Sequence, residues 1–258
     1  IYMNLLIRKN KYMKKKVLIF VVTYKASFRV LHLINKINFS KLKNINYKIL
    51  ISDDNSEDEE TTRYINLAKT KFKSKITLNF NKINLGYGAN IKKCLNVAYK
   101  NHFDYAVMLH GDNQYNPKYI YNMFSTLQKN QNISAVCGSR MYSKKGALKG
   151  NMPIYKFLGN IFLTNLFNLI HKKTFTDCHT GYWAYNLKKI KKKIINKCDD
   201  KFCFDIDLRI NLVNQNHIIK EIPINTFYGT ERSSMHIIYA LRFFFKIILS
   251  KFKNFNYK

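Results

Sequence analysis

The chain has 258 residues, of which 47% are hydrophobic, so it can bury a full core and is not a disordered or linker-dominated protein. Its five cysteines are odd in number and form no Cys-x-x-Cys pair, which argues against a disulfide framework or a zinc ribbon and is typical of the reducing cytosol. The formal net charge is +30, but 38 of the 45 basic residues are lysine, whereas proteins that bind nucleic acids usually rely on arginine.

Predicted strands and helices alternate along the first half of the sequence. In chain order, the pattern predicts a strand at 17–22, a helix at 27–43, a strand at 47–51, a helix at 57–71, a strand at 75–80, a helix at 86–100, a strand at 105–109 and a helix at 117–129. Strands that alternate with helices in this way indicate βαβ units and a mostly parallel sheet. In such a sheet, ligands bind beyond the carboxyl ends of the strands.

The second half of the sequence has a looser pattern, which predicts a mixed α+β region after Ser134. No segment reaches the roughly 18 uninterrupted apolar residues that a membrane span requires. We therefore predict a basic N-terminal extension at 1–16, a main domain at 17–235 and an amphipathic, basic C-terminal helix at 236–258.

The C-terminal helix is predicted to lie in a membrane interface rather than to cross the bilayer. Arg242 and Lys246 are four residues apart and share a helix face, which we expect to turn toward anionic headgroups. The residues expected to enter the bilayer are Phe243, Phe244, Ile247 and Ile248. The alternative is a helix that docks on the main domain or forms an oligomer interface.

Polar clusters follow two of the predicted strands. Asp53 and Asp54 follow the second strand, and His110, Asp112 and Gln114 follow the fourth. Both clusters are expected on the same rim of the sheet, where carboxylates are costly unless they bind something. Side chains at alternate positions of an extended segment share a face, and this set of oxygen and nitrogen ligands suits Mg²⁺ or Mn²⁺. The alternative is an Asp-rich turn with solvated side chains.

Taken in order, the motifs resemble those of the family-2 inverting glycosyltransferases of the GT-A fold. The resemblance covers about residues 17–235 and is closest to the dolichyl-phosphate mannose synthases and related polyprenyl-phosphate glycosyltransferases. Each motif alone is weak, but the ordered set is specific: Val22-Thr23-Tyr24, Asp53-Asp54-Asn55-Ser56, 84–89, 110–115, Gly138-Ser139-Arg140, 177–182, 204–207 and 221–223. The resemblance implies an α/β protein with the GT-A nucleotide-diphospho-sugar transferase fold, a three-layer α/β/α sandwich.

The resemblance also implies a UDP- or GDP-linked sugar donor and a divalent metal, Mg²⁺ or Mn²⁺. The family usually has Asp-x-Asp where this sequence has His110-Gly111-Asp112; Asp112 and Gln114 match ligands of the metal and the diphosphate, and His110 departs from the usual acid. Asp54 is expected to hold the edge of the base, and the 84–89 stretch to let the backbone approach the nucleotide. The full set of expected nucleotide-sugar contacts is Thr23, Tyr24, Asp53, Asp54, Gly86, Gly88, His110, Asp177, Thr180 and Gly181.

For the acceptor, the resemblance implies two basic contacts. In the lipid-phosphate branch, the arginine that matches Arg140 contacts the acceptor phosphate, and Lys156 is similar to a second contact. A phosphate monoester needs no general base, because its second pKa of about 6 leaves it anionic. A sugar hydroxyl needs one, and Asp207 is the expected base. Capping of a helix N-terminus is the alternative for Asp205 and Asp207. The expected catalytic residues are therefore Asp112, Asp207 and Arg140.

The sequence thus predicts a metal-dependent hexosyltransferase that acts on a polyprenyl phosphate, peripheral on the cytoplasmic face of an anionic membrane. The second acceptor that we consider is a sugar hydroxyl in lipopolysaccharide or another surface glycan. A basic nucleic-acid-binding module is disfavoured, because the sequence has no aromatic-basic RNA motif, and we expect no nucleic acid partner. A nucleotidyltransferase is disfavoured because Thr23-Tyr24-Lys25-Ala26 is not the Gly-rich loop expected after its first strand.

Overall fold

The computed structural model describes residues 15–226, 228 and 237–252. The predicted N-terminal extension lies outside the described residues except for Lys15 and Lys16, and Lys16 already begins the first strand. Residues 236 and 253–258 of the predicted C-terminal helix lie outside them as well.

The sheet has the strands β1 Lys16–Thr23, β2 Asn46–Asp53, β3 Ile76–Phe80, β4 Tyr105–His110, β5 Ile133–Ser139, β6 Trp183–Asn186 and β7 Ile218–Pro223. Within the described residues these form one seven-stranded sheet in the order β3-β2-β1-β4-β6-β5-β7. β6 runs antiparallel to β4 and β5, and the other neighbours are parallel. The prediction of an α/β fold with a mostly parallel sheet is confirmed.

The helices in chain order are α1 Arg29–Asn35, α2 Phe39–Leu42, α3 Glu59–Phe72, α4 Tyr87–Lys100, α5 Ile120–Lys129, α6 Lys144–Lys149, α7 Ile154–His171, α8 Lys192–Asn196, α9 Phe204–Asn214 and α10 Ile237–Ser250. The helix predicted at 27–43 is interrupted, because the Asn38 side chain accepts a hydrogen bond from the Lys41 backbone N–H and so starts α2 as a new helix. The helix predicted at 117–129 begins as a 3-10 turn, Pro117–Tyr119, before α5.

Side chains of β1 alternate between two hydrophobic cores, one on each face of the sheet. Ile19 and Val21 pack in a core with residues of α1, α3 and α5. Phe20 and Val22 pack in a second core with residues of α4, α8 and α9. Helices therefore cover both faces, as in the predicted three-layer sandwich, and this explains why the central strand is apolar throughout.

The C-terminal helix docks on the protein. Its Phe243 and Ile247 are buried in a third core together with Phe167 of α7 and Ile210 of α9. The prediction that Phe243 and Ile247 enter a bilayer is therefore wrong, because this face of α10 is already covered by α7 and α9. Lys246 also turns toward the protein and pairs with Asp207, so it does not form an outward basic face with Arg242.

None of the helices within the described ranges combines the length and the apolar character that crossing a bilayer demands.

Candidate active site

The predicted polar clusters meet at one rim of the sheet. Thr23 at the end of β1 is in register with Asp53 of β2, and Val22 is in register with His110 of β4. The three strand ends therefore lie side by side, because β1 separates β2 from β4 in the sheet. Parallel pairing thus brings together residues that are 30 to 90 positions apart in the chain.

Asp54 anchors the loop before α4. Its buried carboxylate accepts hydrogen bonds from the backbone N–H groups of Leu85 at 2.9 Å and Gly86 at 2.8 Å, and from Asn81 Nδ2 at 2.8 Å. Its own backbone N–H donates to the Thr23 carbonyl at 2.9 Å. Asp54 therefore joins the end of β1 to the loop that follows β3, and its predicted contact with the base stays a prediction.

Gly86 and Gly88 pack closely against the 199–201 segment. Gly86 has a positive φ of 94°, and a Cβ there would lie 2.9 Å from the Asp200 carbonyl oxygen. A Cβ on Gly88 would lie 2.2 Å from the Asp199 carbonyl oxygen. Backbone of the 199–201 segment thus occupies the space that a Cβ would fill at either glycine, and the predicted approach of the 84–89 backbone to the nucleotide stays a prediction.

Asp53 closes the turn after β2. Its buried carboxylate accepts from the Ser56 backbone N–H at 2.8 Å and also from the Ser56 hydroxyl. Burial raises the pKa of Asp53, against the opposing effect of these hydrogen bonds.

Thr23 is buried, whereas Tyr24 is 50% exposed at the rim and so presents an aromatic face on which a base can stack.

His110 is held by groups around its ring. Its Nε2 lies 3.0 Å from the Gly181 carbonyl oxygen and 3.2 Å from the Tyr87 hydroxyl. Burial lowers the pKa of His110, so the ring is neutral at pH 7, and the carbonyl fixes Nε2 as the protonated nitrogen. Nε2 is therefore unavailable to a metal, and the prediction of His110 as a ligand fails for this nitrogen.

Gly181 packs against this histidine, and Thr180 precedes Gly181 in the same loop. A Cβ on Gly181 would lie 2.8 Å from His110 Cε1 and 2.9 Å from the Tyr87 hydroxyl, so only glycine fits. The Gly181 backbone N–H donates to the Tyr115 hydroxyl at 2.9 Å, and the Thr180 hydroxyl accepts from the Tyr182 backbone N–H at 3.3 Å. The contact of both residues with a donor sugar stays a prediction.

Asp112 and Gln114 fit a divalent cation that also binds a diphosphate. Asp112 is exposed at the rim, and its Oδ1 accepts from the Gln114 backbone N–H at 2.9 Å, which orders the turn and leaves Oδ2 for a ligand. Carboxylate and amide oxygens are the ligands of Mg²⁺ and Mn²⁺. In the described part of the chain, no group of three or more His, Cys, Asp or Glu side chains forms a complete metal site. An ion here would take its remaining ligands from phosphate oxygens and water.

Asp205 is a site residue that the sequence prediction left out. Its Oδ2 accepts a hydrogen bond of 2.9 Å from the Tyr87 hydroxyl, which in turn lies beside His110. Its Oδ1 is buried and accepts no hydrogen bond from the described residues. Burial raises the pKa of Asp205 to about 7, although the Tyr87 hydrogen bond acts in the opposite direction. Asp205 therefore titrates near neutral pH, as a general base should.

Asp207, the predicted base, has other partners. Both of its carboxylate oxygens accept from Lys246 Nζ of α10, at 2.8 and 2.7 Å, and Oδ2 also accepts from the Asp199 backbone N–H at 2.9 Å. Burial raises the pKa of Asp207, and Lys246 opposes that rise. The prediction is corrected: Asp207 fastens α10 to α9, and Asp205 is the acid beside His110. The motif contains both acids, but only the packing of α9 separates their roles.

Arg140 and Asp177 form a buried ion pair. Arg140 Nε lies 2.7 Å from Asp177 Oδ2, and Nη2 lies 2.9 Å from Oδ1. Burial alone would raise the pKa of Asp177, but the charge and hydrogen bonds of Arg140 outweigh it and lower that pKa. Arg140 also donates through Nη2 to the His179 carbonyl at 2.9 Å and through Nη1 to the Tyr228 hydroxyl at 3.0 Å. The pair thus ties the end of β5 to the 177–181 loop.

Lys156 lies next to this pair. Its Nζ is 5.6 Å from the centre of the Tyr228 ring, whose hydroxyl accepts from Arg140. Burial and then the positive charge of Arg140 lower the pKa of Lys156. The structure therefore brings together the two predicted phosphate contacts, and it adds Tyr228, which the sequence prediction did not single out.

Comparisons with known proteins bear on the family and the fold. The family model described as "Glycosyl transferase family 2" matches residues 18–192, more than half of the chain. An uncharacterized protein of Methanocaldococcus jannaschii is 27% identical over 214 residues, which is 81% of this chain and 84% of that protein.

Similar solved structures share the fold at low sequence identity. Glucosyl-3-phosphoglycerate synthase from Mycobacterium tuberculosis, in complex with Mn²⁺, UDP and phosphoglyceric acid, has a TM-score of 0.66 and 11% identity over 92% of this chain and 78% of that chain. A mannosyltransferase from Pyrobaculum calidifontis, in complex with GDP-Man and Mn²⁺, has a TM-score of 0.59 and 12% identity over 93% of this chain and 64% of that chain. Mannosyl-3-phosphoglycerate synthase from Rubrobacter xylanophilus has a TM-score of 0.60 and 12% identity, covering 95% and 76% of the two chains.

Proposed function

This chain belongs to glycosyl transferase family 2, and we propose that it transfers a hexose from a UDP- or GDP-linked sugar to a polyprenyl phosphate at the cytoplasmic face of a membrane. The proposal places it in the dolichyl-phosphate mannose synthase branch. The catalytic domain is 17–235, the basic segments 1–16 and 236–258 flank it, and nucleic acid is not a partner.

The donor site of the proposal is the rim formed by the ends of β1, β2 and β4. Tyr24 stacks on the base, and Asp112 with Gln114 faces the diphosphate. Glycosyltransferases of the same fold have been solved with Mn²⁺ or Mg²⁺ and with UDP or GDP-Man, which supports a divalent metal here. When bound, such an ion offsets the negative charge that develops on the departing diphosphate.

One observation carries the acceptor: the helix that bears Lys156, a lysine close enough to Arg140 to be affected by its charge, exposes apolar side chains. Arg140 contributes to the lowered pKa of Lys156, so a shared anion would relieve the repulsion between them. Ile154, Tyr155 and Leu158, on the same first turns of α7, are exposed and apolar. A cationic site beside an apolar helix face is complementary to a phosphate attached to a lipid chain.

The transfer follows from these positions. Arg140 and Lys156 hold the acceptor phosphate so that one of its oxygens attacks the anomeric carbon in line with the departing diphosphate, and the configuration inverts. Asp177 keeps the guanidinium of Arg140 in a fixed orientation. Because the phosphate oxygen is already anionic near neutral pH, with a second pKa of about 6, the reaction needs no general base.

A second acceptor is favoured by Asp205. Its buried Oδ1 accepts no hydrogen bond within the described ranges, and its pKa of about 7 suits proton abstraction from a sugar hydroxyl. On this alternative the product is a disaccharide linkage of a surface glycan, and Asp205 takes the proton while Tyr87 orients the carboxylate.

The test is a panel of UDP- and GDP-sugars in Mn²⁺, with polyprenyl phosphate, with phosphoglyceric acid, or with a glycan acceptor. The proposal predicts a lipid-linked sugar from one of the donors, in wild type and in Asp205→Asn alike. A product with phosphoglyceric acid or with the glycan, and none with the lipid, would overturn it. Loss of the lipid-linked product in Asp205→Asn would mean that transfer to the lipid phosphate also requires Asp205 as a general base.

A further inference from the structure

The outward face of α7 is largely apolar, with the exposed Asn165 lying between Phe162 and Leu169. Ile154, Leu158, Phe162 and Leu169 recur at helical spacing, and each has at least 58% of its surface exposed. A helix on the surface of a protein in water usually places charged side chains on this face. Lys156 is the single charged residue within α7.

The outward face of α10 is apolar as well. Leu241, Phe245 and Leu249 recur every fourth residue, Phe252 is the second residue after the helix, and each is at least 52% exposed. This face is opposite to the one that packs on the protein, since Phe243 and Ile247 are buried. α10 is thus apolar on both sides, and one of the two sides has no cover within the described residues.

The two faces form one surface. The Phe162 ring of α7 stacks on Phe244 of α10 with ring centres 6.2 Å apart, and Phe244 contacts Phe245 edge to face at 5.6 Å. At the C-terminal ends of the two helices, His171 Nε2 lies 2.8 Å from the Ser250 hydroxyl. α7 and α10 therefore lie side by side and run in the same direction. The two-helix platform, as we call it, consists of Ile154, Tyr155, Leu158, Phe162, Leu169, Leu241, Phe245, Leu249 and Phe252.

The charged residues within the two helices and directly after them are basic. Neither α7 nor α10 contains an acidic residue, and Lys172, Lys173, Arg242 and Lys251 are exposed at its ends and edge. We infer that the two-helix platform docks on an anionic phospholipid bilayer, with its apolar side chains among the acyl chains and its basic residues at the headgroups. A second copy is a poorer occupant, because a two-fold interface would bring the same basic residues face to face.

The platform begins beside the proposed acceptor site. Lys156 lies on the first turn of α7, and its neighbour Tyr228 bonds to Arg140. A phosphate at the membrane surface is therefore within reach of both cations while its lipid chain stays in the bilayer. In this respect the inference rests on the proposed function; the docking itself depends only on the platform.

The experiment is co-sedimentation of the full chain with vesicles, without donor or acceptor. One set of vesicles is phosphatidylcholine alone, and the other is phosphatidylcholine and phosphatidylglycerol in equal parts. The variants are Leu158→Asp in α7 and Leu249→Asp in α10. The matched control is Leu67→Asp in α3, which changes an exposed helical leucine away from the platform. Circular dichroism and thermal unfolding check that all four proteins are folded.

The wild type is expected to bind the anionic vesicles far more tightly than the neutral ones, and less tightly as salt is raised. Each platform variant should lower the partition coefficient about tenfold or more, since a buried leucine contributes on that order, and Leu67→Asp should leave it unchanged.

Three results would overturn the inference. If Leu158→Asp binds vesicles as well as the wild type, α7 takes no part in docking, and α10 alone would be the anchor. Equal loss in Leu67→Asp would mean attraction by net charge alone. A wild-type dimer in light scattering that becomes monomeric in both platform variants, with no vesicle binding, would assign the platform to a second copy. Failure of docking is separate from failure of the proposed function, because transfer to a short-chain, water-soluble polyprenyl phosphate needs no vesicle.

Discussion

Arg140 and Asp177 meet edge to edge, with Nε 2.7 Å from Oδ2 and Nη2 2.9 Å from Oδ1, and both side chains are buried. A bidentate pair of this kind fixes the plane of the guanidinium as well as its position. The residue predicted to contact the acceptor phosphate is therefore held by a residue predicted to contact the donor sugar. The pair couples the two halves of the proposed site.

Removal of the Asp177 carboxylate should destabilise the protein strongly. We expect Asp177→Ala to lower the free energy of unfolding by about 3–5 kcal/mol, because it leaves the guanidinium buried and unpaired. The measurement is urea unfolding followed by circular dichroism. The control is Lys188→Ala, which breaks a pair with Asp104 whose lysine is 66% exposed and should cost about 0–1 kcal/mol. Equal costs for the two variants would contradict the role of the buried pair.

Donor binding should depend on Asp112 and on a divalent ion. Asp112→Ala is expected to lose most of the affinity for the nucleotide sugar in Mn²⁺ while it keeps the wild-type unfolding temperature, because Asp112 is exposed. Isothermal titration calorimetry with UDP- and GDP-sugars measures the affinity, with and without EDTA. Glu60→Ala removes an exposed carboxylate from α3 and should bind like wild type. If Asp112→Ala keeps its affinity and EDTA has no effect, the metal assignment is wrong.

The carboxyl group of Asp205 should titrate at a higher pH without the Tyr87 hydroxyl. The Tyr87 hydrogen bond favours the charged carboxylate, so Tyr87→Phe should raise the pKa of Asp205 above its value of about 7. Carboxyl ¹³C chemical shifts of labelled aspartate measure this directly. Tyr99→Phe, which removes a hydroxyl bonded to the Ile190 carbonyl, is the matched control and should leave the titration unchanged. An unmoved or lowered pKa in Tyr87→Phe would show that the hydrogen bond does not set this titration.

Stability should fall toward acid pH through His179. Burial lowers the pKa of His179 to about 3, whereas an unfolded histidine titrates near 6.5. The unfolded state therefore binds the proton first, and stability is lost as pH falls below about 6.5. His179→Phe keeps the stack on Phe243, whose ring centre lies 5.0 Å away. Between pH 7.5 and pH 5, the free energy of unfolding of this variant should fall by about 1–2 kcal/mol less than that of the wild type.

Urea unfolding at the two pH values, for wild type and for His179→Phe, measures this difference. The same substitution at His32, which is exposed, serves as the control. If His179→Phe loses as much stability in acid as the wild type, the protonated ring of His179 must find a hydrogen-bond acceptor in the folded protein that the structure does not show.

The sequence by itself determined the family and the strands and helices of the first half, apart from the break at Asn38 between α1 and α2. The run 17–22 is apolar throughout because helices cover both faces of β1, and such a run can be identified without coordinates. The rim could also be predicted, because parallel strands place their carboxyl ends on one edge and the acidic clusters follow those ends directly.

Only the tertiary structure decided which side chains of these motifs face one another. Asp205 and Asp207 are two residues apart in one motif, yet Asp205 bonds to Tyr87 beside His110 while Asp207 bonds to Lys246 of α10. Likewise, residues 86 and 88 must be glycine because the 199–201 segment, over 100 positions later in the chain, packs where a side chain would lie. Spacing along the chain fixes the face of a helix or strand on which a residue lies, but what covers that face depends on contacts between distant segments, and these form only when the whole chain packs.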